Sequence, residues 1–336
     1  MLTVRTALPD DFLSVSASDL HGMLPGPTLI HLRGRRTEPL FVSVLLHGNE
    51  DTGLRAIQAV LDEYRSRELP RAVSLFVGNV QAAAQGLRRL DGQPDFNRVW
   101  PGAETANLPE HAMTREVVEQ MRARRVFASI DLHNNTGLNP HYACVNRLDP
   151  PYLHLATLFS RIVVLFKRPL GVQSAAFAEL CPAVTVECGK PGFRNSELQA
   201  AAFVEAALHL EHLPQHPVPK HDIDLYHTIG IVKVPDEIRF RFGDGDTPVR
   251  FEKDLDHMNF RELPAGTRIA QVAPNCTAPL RVTDEDGREV FEHYLEVRDG
   301  ELLTRRAVMP AMLTLDERVI RQDCLCYLME RLASTG

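Results

Sequence analysis

Residues 40–53 read LFVSVLLHGNEDTG. The nearly continuous apolar run over 40–46 is the pattern of a strand covered on both faces, as in a parallel sheet flanked by helices. His47, Gly48, Asn49, Glu50 and Asp51 follow at once. The carboxyl end of such a strand is where α/β proteins place ligands. Two readings are open there. One is a polar strand end followed by the acid that starts a helix. The other is part of a metal site, because imidazole nitrogen and carboxylate oxygen both bind Zn²⁺. H-x-x-E alone does not separate them. A second copy, His293 to Glu296, falls in a run that reads as a strand. A period of two sends positions i and i+3 to opposite faces, which marks that copy as accidental.

Strand-like and helix-like runs alternate on either side of this stretch. TGLRAIQAVLDEYRS (52–66) places Leu54, Ile57, Val60, Leu61 and Tyr64 at helical spacing. Strands are expected at 73–77, 126–132, 141–145, 161–166 and 183–187, and helices at 114–125, 152–160 and 196–210. Such alternation implies an α/β domain with a mixed, largely parallel sheet flanked by helices. EHLPQHPVPKHD (211–222) carries three prolines in a polar stretch, which cannot continue a helix. The domains are therefore expected at 1–215 and 216–336. Beyond the break, turn signals at 242–248, 262–267 and 284–289 separate short β-rich runs, so the second domain is read as small and β-rich. GDGD at 243–246 reads as a hairpin turn, and the last stretch, LDERVIRQDCLCYLMERL (315–332), as more helical.

Composition sets the class. At 336 residues, 44% hydrophobic and 24% charged, the chain has the make-up of a soluble globular protein. Its net charge of −7 argues against a general nucleic-acid binder, which needs a basic face. No apolar run reaches the roughly 18–20 residues of a membrane span. MLTVRTALPDDFLSV at the start lacks the charged n-region and long apolar core of a signal peptide. The six cysteines (144, 181, 188, 276, 324, 326) have no framework spacing, so reduced thiols and a cytoplasmic location are expected. A homo-oligomer is compatible with the sequence.

Two further strands end as the first does. VFASIDL runs into His133. With His47 and Glu50 this gives the two-histidine, one-glutamate set of hydrolytic zinc sites. Asp131, two residues earlier on the same strand face, is placed to orient the ring of His133. AVTVE ends on Glu187. A carboxyl closing an apolar strand is costly to bury unless paired or protonated. One reading makes it a general base, the other a salt-bridged structural acid. The loop QGLRRLDGQPDFNRVWPG (85–102) carries Arg88, Arg89, Asn97 and Arg98. Arginine grips carboxylates with two hydrogen bonds and stabilises oxyanions, although a solvated basic loop has the same composition.

HGNE at 47–50, NV-x-A followed by the arginine loop ending in DFNRVWPG, DLHN at 131–134 and VTVE-x-G at 184–189 together resemble the succinylglutamate desuccinylase/aspartoacylase family, within the zinc carboxypeptidase-like group. The match spans about residues 40 to 195, in the right order. The resemblance implies one Zn²⁺ per chain on His47, Glu50 and His133, with Glu187 as general base. It implies Asn97 and Arg98 as the grip on a substrate carboxylate, and Arg88, with Arg89 as rival, as the oxyanion-stabilising arginine. In aspartoacylase-like members a tyrosine and an arginine upstream of the base hold a second carboxylate. GVQSAAFAELCPAVTVE (171–187) has neither, with Phe177 near the arginine's place. N-acetylaspartate is thus disfavoured as substrate.

The expected function is zinc-dependent hydrolysis of the amide bond in a small carboxylate-bearing N-acyl amino acid. A zinc carboxypeptidase acting on peptides is the nearest alternative, and a non-catalytic carboxylate-binding α/β protein the next. The chain contains no G-x-S-x-G or Walker A motif.

Overall fold

The computed structural model describes residues 1–103 and 108–332. The chain divides into two compact units. Of the described residues, those of Met1–Asn134 and His141–Asp224 form the first; Asn135–Pro140 and residues 225–332 form the second.

The first unit is built on eight strands: β1 (Thr3–Arg5), β2 (Thr28–Leu32), β3 (Gly34–Val44), β4 (Leu69–Val77), β5 (Ala128–His133), β6 (Tyr142–Val145), β7 (Ile162–Leu165) and β8 (Ala183–Glu187). Their order across the sheet is β1-β2-β4-β3-β5-β8-β6-β7. The central set β4, β3, β5 and β8 is parallel throughout. β2 on β4 and β6 on β8 run antiparallel, so the sheet is mixed and largely parallel, as the sequence implied. Its helices are α1 (Thr52–Glu63), α2 (Val80–Ala83), α3 (Pro109–Ala123), α4 (Pro150–Thr157), α5 (Gln173–Phe177) and α6 (Arg194–His209).

The apolar run that starts at Leu40 is the core of β3, where Leu40 to Val44 are fully buried. Its two faces differ in chemistry. A side chain on Gly53 of α1 would meet Val44 and Leu132, which places α1 on the even-numbered face. On the other face Phe41 stacks on Phe177 of α5, with ring centroids 4.2 Å apart. Register puts Ser43 beside Asp131, Asp131 beside Thr185 and His133 beside Glu187. Paired residues on adjacent strands share a face, so this second face carries a buried polar stripe that ends at the carboxyl edge.

The second unit holds β9 (Asp224–Lys233), β10 (Phe240–Phe242), β11 (Val249–Phe251), β12 (Arg268–Val272), β13 (Arg281–Thr283), β14 (Leu295–Arg298), β15 (Glu301–Thr304), β16 (Met309–Ala311) and β17 (Cys326–Arg331), with short helices α7 (Phe291–Tyr294) and α8 (Glu317–Gln322). Five strands form the sheet β10-β11-β12-β15-β14. β9 pairs with β13 and β17, and β17 with β16. Val249, Phe251, Leu255, Leu295, Leu302 and Leu325 lie in its core.

Two local expectations are corrected here. GDGD does not close a hairpin, because β10 and β11 on either side of it run parallel. Positive φ at Gly243 and Gly245 lets residues 243–248 carry the chain back instead. The C-terminal stretch is helical only to Gln322. From Cys326 it is a strand buried on both faces through Met329, and a strand buried on both faces has no period of two to betray it. Among the described residues no helix is long and apolar enough to cross a membrane.

Candidate active site

Three parallel strands of the first unit bring the site together at their carboxyl ends. Beyond β3, Leu45 adopts φ 54°, a left-handed conformation uncommon for a bulky residue. The chain turns there, and two residues later comes His47. Gly48 sits against the backbone of α2, where an added Cβ would lie 2.2 Å from the Ala83 nitrogen. The glycine of HGNE is thus required by close approach. Asn134 ties the strand ends together. Its Oδ1 accepts from Thr52 N at the start of α1 (3.2 Å), its Nδ2 donates to the Gly189 carbonyl beyond β8 (2.8 Å), and its own N–H donates to Glu50 Oε2 (3.1 Å).

His47, Glu50 and His133 converge, each with one ligand atom within 4.8 Å of the others. Glu50 Oε1 lies 2.8 Å from His47 Nδ1, and Oε2 lies 2.7 Å from His133 Nδ1. Each ring has a carboxylate on its other nitrogen. Asp95 Oδ1 is 3.0 Å from His47 Nε2, and Asp131 Oδ2 is 2.8 Å from His133 Nε2. Such outer carboxylates fix ring orientation and raise ligand basicity. Asp131 is itself held by the Ser43 hydroxyl, which donates to its Oδ1 at 2.7 Å. All of these groups are buried or nearly so.

The protonation equilibria follow from this crowding. Burial would raise the Glu50 pKa, but the imidazoles of His47 and His133 carry it well below the carboxylate range. Burial and the Arg88 guanidinium push His47 down, and the carboxylates of Glu50 and Asp95 more than offset them, leaving it raised. Burial likewise lowers His133, yet Asp131 and Glu50 lift it well above its ordinary value. Asp95, despite burial, is held well below the usual range by Arg88 and His47.

The residues fit a divalent cation. Two nitrogens and one carboxylate oxygen are a donor set for zinc and its neighbours. Glu50, Asp95 and Asp131 are three carboxylates, buried or nearly so, facing two imidazoles and the Arg88 guanidinium, with the Arg98 guanidinium also acting on Asp95. With neutral rings the negative charge exceeds the positive, and a dication between His47, Glu50 and His133 would offset the excess.

The loop that follows α2 separates the two candidate arginines. Arg88 turns inward, with Nη2 2.9 Å from Asp95 Oδ2 and Nη1 3.6 Å from Glu50 Oε1. Arg89 instead donates to the Gln93 carbonyl within its own loop (2.7 Å). Asn97 is buried. Its Oδ1 accepts from Gln173 N (2.8 Å), and its Nδ2 lies 3.5 Å from Asp131 Oδ2 and 3.2 Å from His133 Nε2. Arg98 follows it, with Nη1 on the Asn97 carbonyl at 2.8 Å. Glu187 is buried at the end of β8, in register with His133. Phe177 packs into the core against Phe41 and Trp100 and is fully buried. Cys188 is a packing residue, its thiol pushed up by burial and by the neighbouring Glu187. The second H-x-x-E does not assemble: His293 pairs with Arg306 and Glu296 with Arg298.

Asp95, Ser43 and Asn134 carry roles that sequence reasoning did not assign. Asp95 had one signal, its position two residues before Asn97.

Fold and ligand set together define a mixed α/β protein with a His–Glu–His cluster at the carboxyl edge of a parallel sheet. The chain belongs to the succinylglutamate desuccinylase/aspartoacylase family: residues 37–213 match the model of the succinylglutamate desuccinylase/aspartoacylase catalytic domain. Similar solved structures include the succinylglutamate desuccinylase from Chromobacterium violaceum (TM-score 0.56, 16% identity, covering 90% of this chain and 87% of that one). Murine aminoacylase 3 is similar at TM-score 0.56 and 16% identity, over 89% of this chain and 96% of its own. So is the ectoine utilization protein EutE (DoeB) from Ruegeria pomeroyi in a product-bound structure, at TM-score 0.56 and 16% identity, over 91% and 88%. At these identities the likeness is one of fold. No curated protein matches the chain.

Proposed function

We propose that this protein is a zinc-dependent deacylase that hydrolyses the amide bond of a small N-acyl amino acid bearing a free carboxylate. The observation that carries the reading is the buried cluster of His47, Glu50 and His133, each ring backed by a carboxylate, with the Arg88 guanidinium beside it.

A zinc ion held by His47, Glu50 and His133 would act as a Lewis acid on the scissile carbonyl and ease the loss of a proton from water. Glu187 takes that proton as water adds to the amide carbon, and returns it to the nitrogen of the leaving amine. Arg88 stabilises the developing oxyanion; a donor of this kind typically contributes about 3–4 kcal/mol. Its side chain is held by Asp95 before substrate arrives, so little reorganisation is needed at the moment of reaction. Asp95 and Asp131 keep the His47 and His133 rings turned with Nδ1 toward Glu50. Arg98 and the remaining N–H of Asn97 grip the substrate carboxylate, which fixes the carbonyl at the reacting position. A substrate without that carboxylate would forgo its charge-assisted hydrogen bonds to this pair, which supplies selectivity. α5 offers no cation for a second carboxylate. Gln173 and Ser174 head it, and Phe177 is spent in the core. Substrates with a single carboxylate are therefore preferred over dicarboxylic ones such as N-acetylaspartate.

The test is release of free amine from a panel of N-acyl amino acids. The panel is matched against the corresponding N-acyl amino amides and against C-terminal dipeptides and longer peptides. Turnover confined to short N-acyl amino acids supports the reading. Efficient clipping of longer peptides would move the carboxypeptidase reading to first place, and no turnover with zinc supplied would favour a binding protein.

A further inference from the structure

The Asn97–Arg98 pair lies on a loop with no regular structure, yet the chemistry proposed for it needs a fixed position. Within the loop Asp95 accepts from Asn97 N at Oδ1 (2.7 Å) and from Arg98 N at its carbonyl (2.9 Å), and four further contacts hold it. Trp100 Nε1 donates to the Phe96 carbonyl (2.9 Å) and the Thr114 hydroxyl to the Val99 carbonyl (2.7 Å). The other two come from one short segment ahead of α5. Trp100 N donates to the Gly171 carbonyl (3.0 Å), and Gln173 N donates to Asn97 Oδ1 (2.8 Å). That second bond decides which way the Asn97 amide faces. With its oxygen committed to Gln173, its nitrogen must point toward Asp131 and His133.

The segment is in turn fixed to the sheet. Gln173 is fully buried, and its Nε2 donates to Ser129 Oγ at 2.7 Å. Ser129 stands two residues before Asp131 and four before His133, so all three share one strand face. Gly171 has φ +73° and packs on the loop itself. An added Cβ would lie 2.6 Å from the Arg98 carbonyl oxygen and 2.7 Å from Ala103 Cβ. Arg98 backbone and Gly171 backbone thus stand at the closest separation that glycine permits.

We infer that Gly171–Gln173 is a positioning brace that sets where Asn97 and Arg98 stand, and thereby sets affinity for the substrate carboxylate. This rests on reading Asn97 and Arg98 as the carboxylate grip. Among the described residues no hydrogen bond joins Gly171–Gln173 to His47, Glu50 or His133, and Asn97 meets His133 at Nε2, not at the Nδ1 that faces Glu50, so the brace governs KM in preference to metal binding or kcat.

The chain itself carries the reporter. Trp100 is its only tryptophan, fully buried two residues from Arg98, edge-on to Phe76 and Phe177. Gly171→Ala is compared with Gly266→Ala, a glycine of similar φ (+84°) with nothing within 4 Å of an added Cβ. Both variants take on left-handed strain, but only the first collides with the loop. Zinc content, acrylamide quenching of Trp100, and KM and kcat on the best N-acyl amino acid are measured for each. For Gly171→Ala we expect full zinc content, clearly stronger quenching of Trp100 and KM raised at least about tenfold with kcat changed far less. Gly266→Ala should match the wild type.

A second pair covers the case in which Gly171→Ala does not fold. Gln173 is the first residue of α5, where proline is tolerated, and Val172 before it is extended (φ −84°, ψ 151°). Gln173→Pro removes the N–H that holds Asn97, whereas Gln173→Ala keeps it. KM should rise more for the proline variant. Wild-type quenching and KM in Gly171→Ala, or equal KM in the two Gln173 variants, would overturn the brace. So would a loss of zinc that accounts for the KM change. Should the wild type hydrolyse no N-acyl amino acid, the functional reading fails, and the quenching comparison still decides the brace.

Discussion

Asp95 is the residue through which the site's parts are most tightly joined, and Asp95→Asn is the perturbation that shows it. The two carboxylate oxygens divide their work. Oδ1 faces His47 Nε2 at 3.0 Å and accepts from Asn97 N at 2.7 Å, while Oδ2 accepts from Arg88 at 2.9 Å. An asparagine keeps the volume but has one acceptor, so its NH₂ must face either the His47 ring or the guanidinium, both donors. A hydrogen bond to a charged group is worth about 1.5–3 kcal/mol. Loss of an outer-shell partner of a metal-bound histidine typically costs roughly 10- to 100-fold in metal affinity. Zinc affinity of Asp95→Asn, measured by competition with a chromogenic chelator near neutral pH, should fall within that range. The kcat/KM at saturating zinc should fall as well, because Arg88 has lost its anchor. Asp95→Ala should lose more stability than Asp95→Asn, because it removes the 2.9 Å partner of a nearly buried guanidinium together with the acceptor for Asn97 N. Asp95→Asn binding zinc as tightly as the wild type, with unchanged kcat/KM, would refute the reasoning.

Arg88→Ala should lower kcat by roughly 10²–10³-fold with little change in KM, and Arg89→Ala, which reaches only its own loop, should stay within a few-fold in steady-state kinetics. Chelator-treated protein should show two opposed pH effects in thermal melts. Glu50, held below its ordinary 4.5, gives stability that is present above that pH and lost as pH falls through its folded value. His47 and His133, raised above 6.5, give stability that is present below that pH and lost as pH rises through theirs. The stripped protein should thus melt highest at mildly acidic pH, and added zinc should raise the melting temperature more at about pH 8 than at about pH 6; a zinc effect larger at the lower pH contradicts this. All six cysteines are buried and free, and burial raises the thiols of Cys144, Cys181, Cys188, Cys276 and Cys326. Ellman's reagent should label native protein slowly and all six thiols in denaturant; rapid native labelling would sink that reading of the packing.

The parts of this molecule that could be read from sequence are those where a local pattern has one physical explanation. A buried run that stops on His47, Asp131–His133 or Glu187 contradicts its own hydrophobic logic, and a ligand site resolves the contradiction. The same runs lie in β3, β5 and β8, and their alternation with helices gave the sheet. Asp95 was illegible for the opposite reason. Asp91 and Asp95 share a loop with no periodicity, and it is Asp95 that meets Arg88 and His47, groups brought there by tertiary folding. α5 spans only Gln173–Phe177, with no side-chain hydrogen bond at its N-cap, so neither length nor capping announced it. β17 was read as more helical because all its positions from Cys326 to Met329 are apolar and buried, which leaves length and composition as the only guides.

The most direct test is elemental analysis of purified wild type and His133→Ala side by side, after equilibration with zinc and removal of the excess. About one zinc per wild-type chain, lost in the variant, is the outcome the His47–Glu50–His133 site requires. Zinc absent from both, or retained in full by His133→Ala, would contradict it.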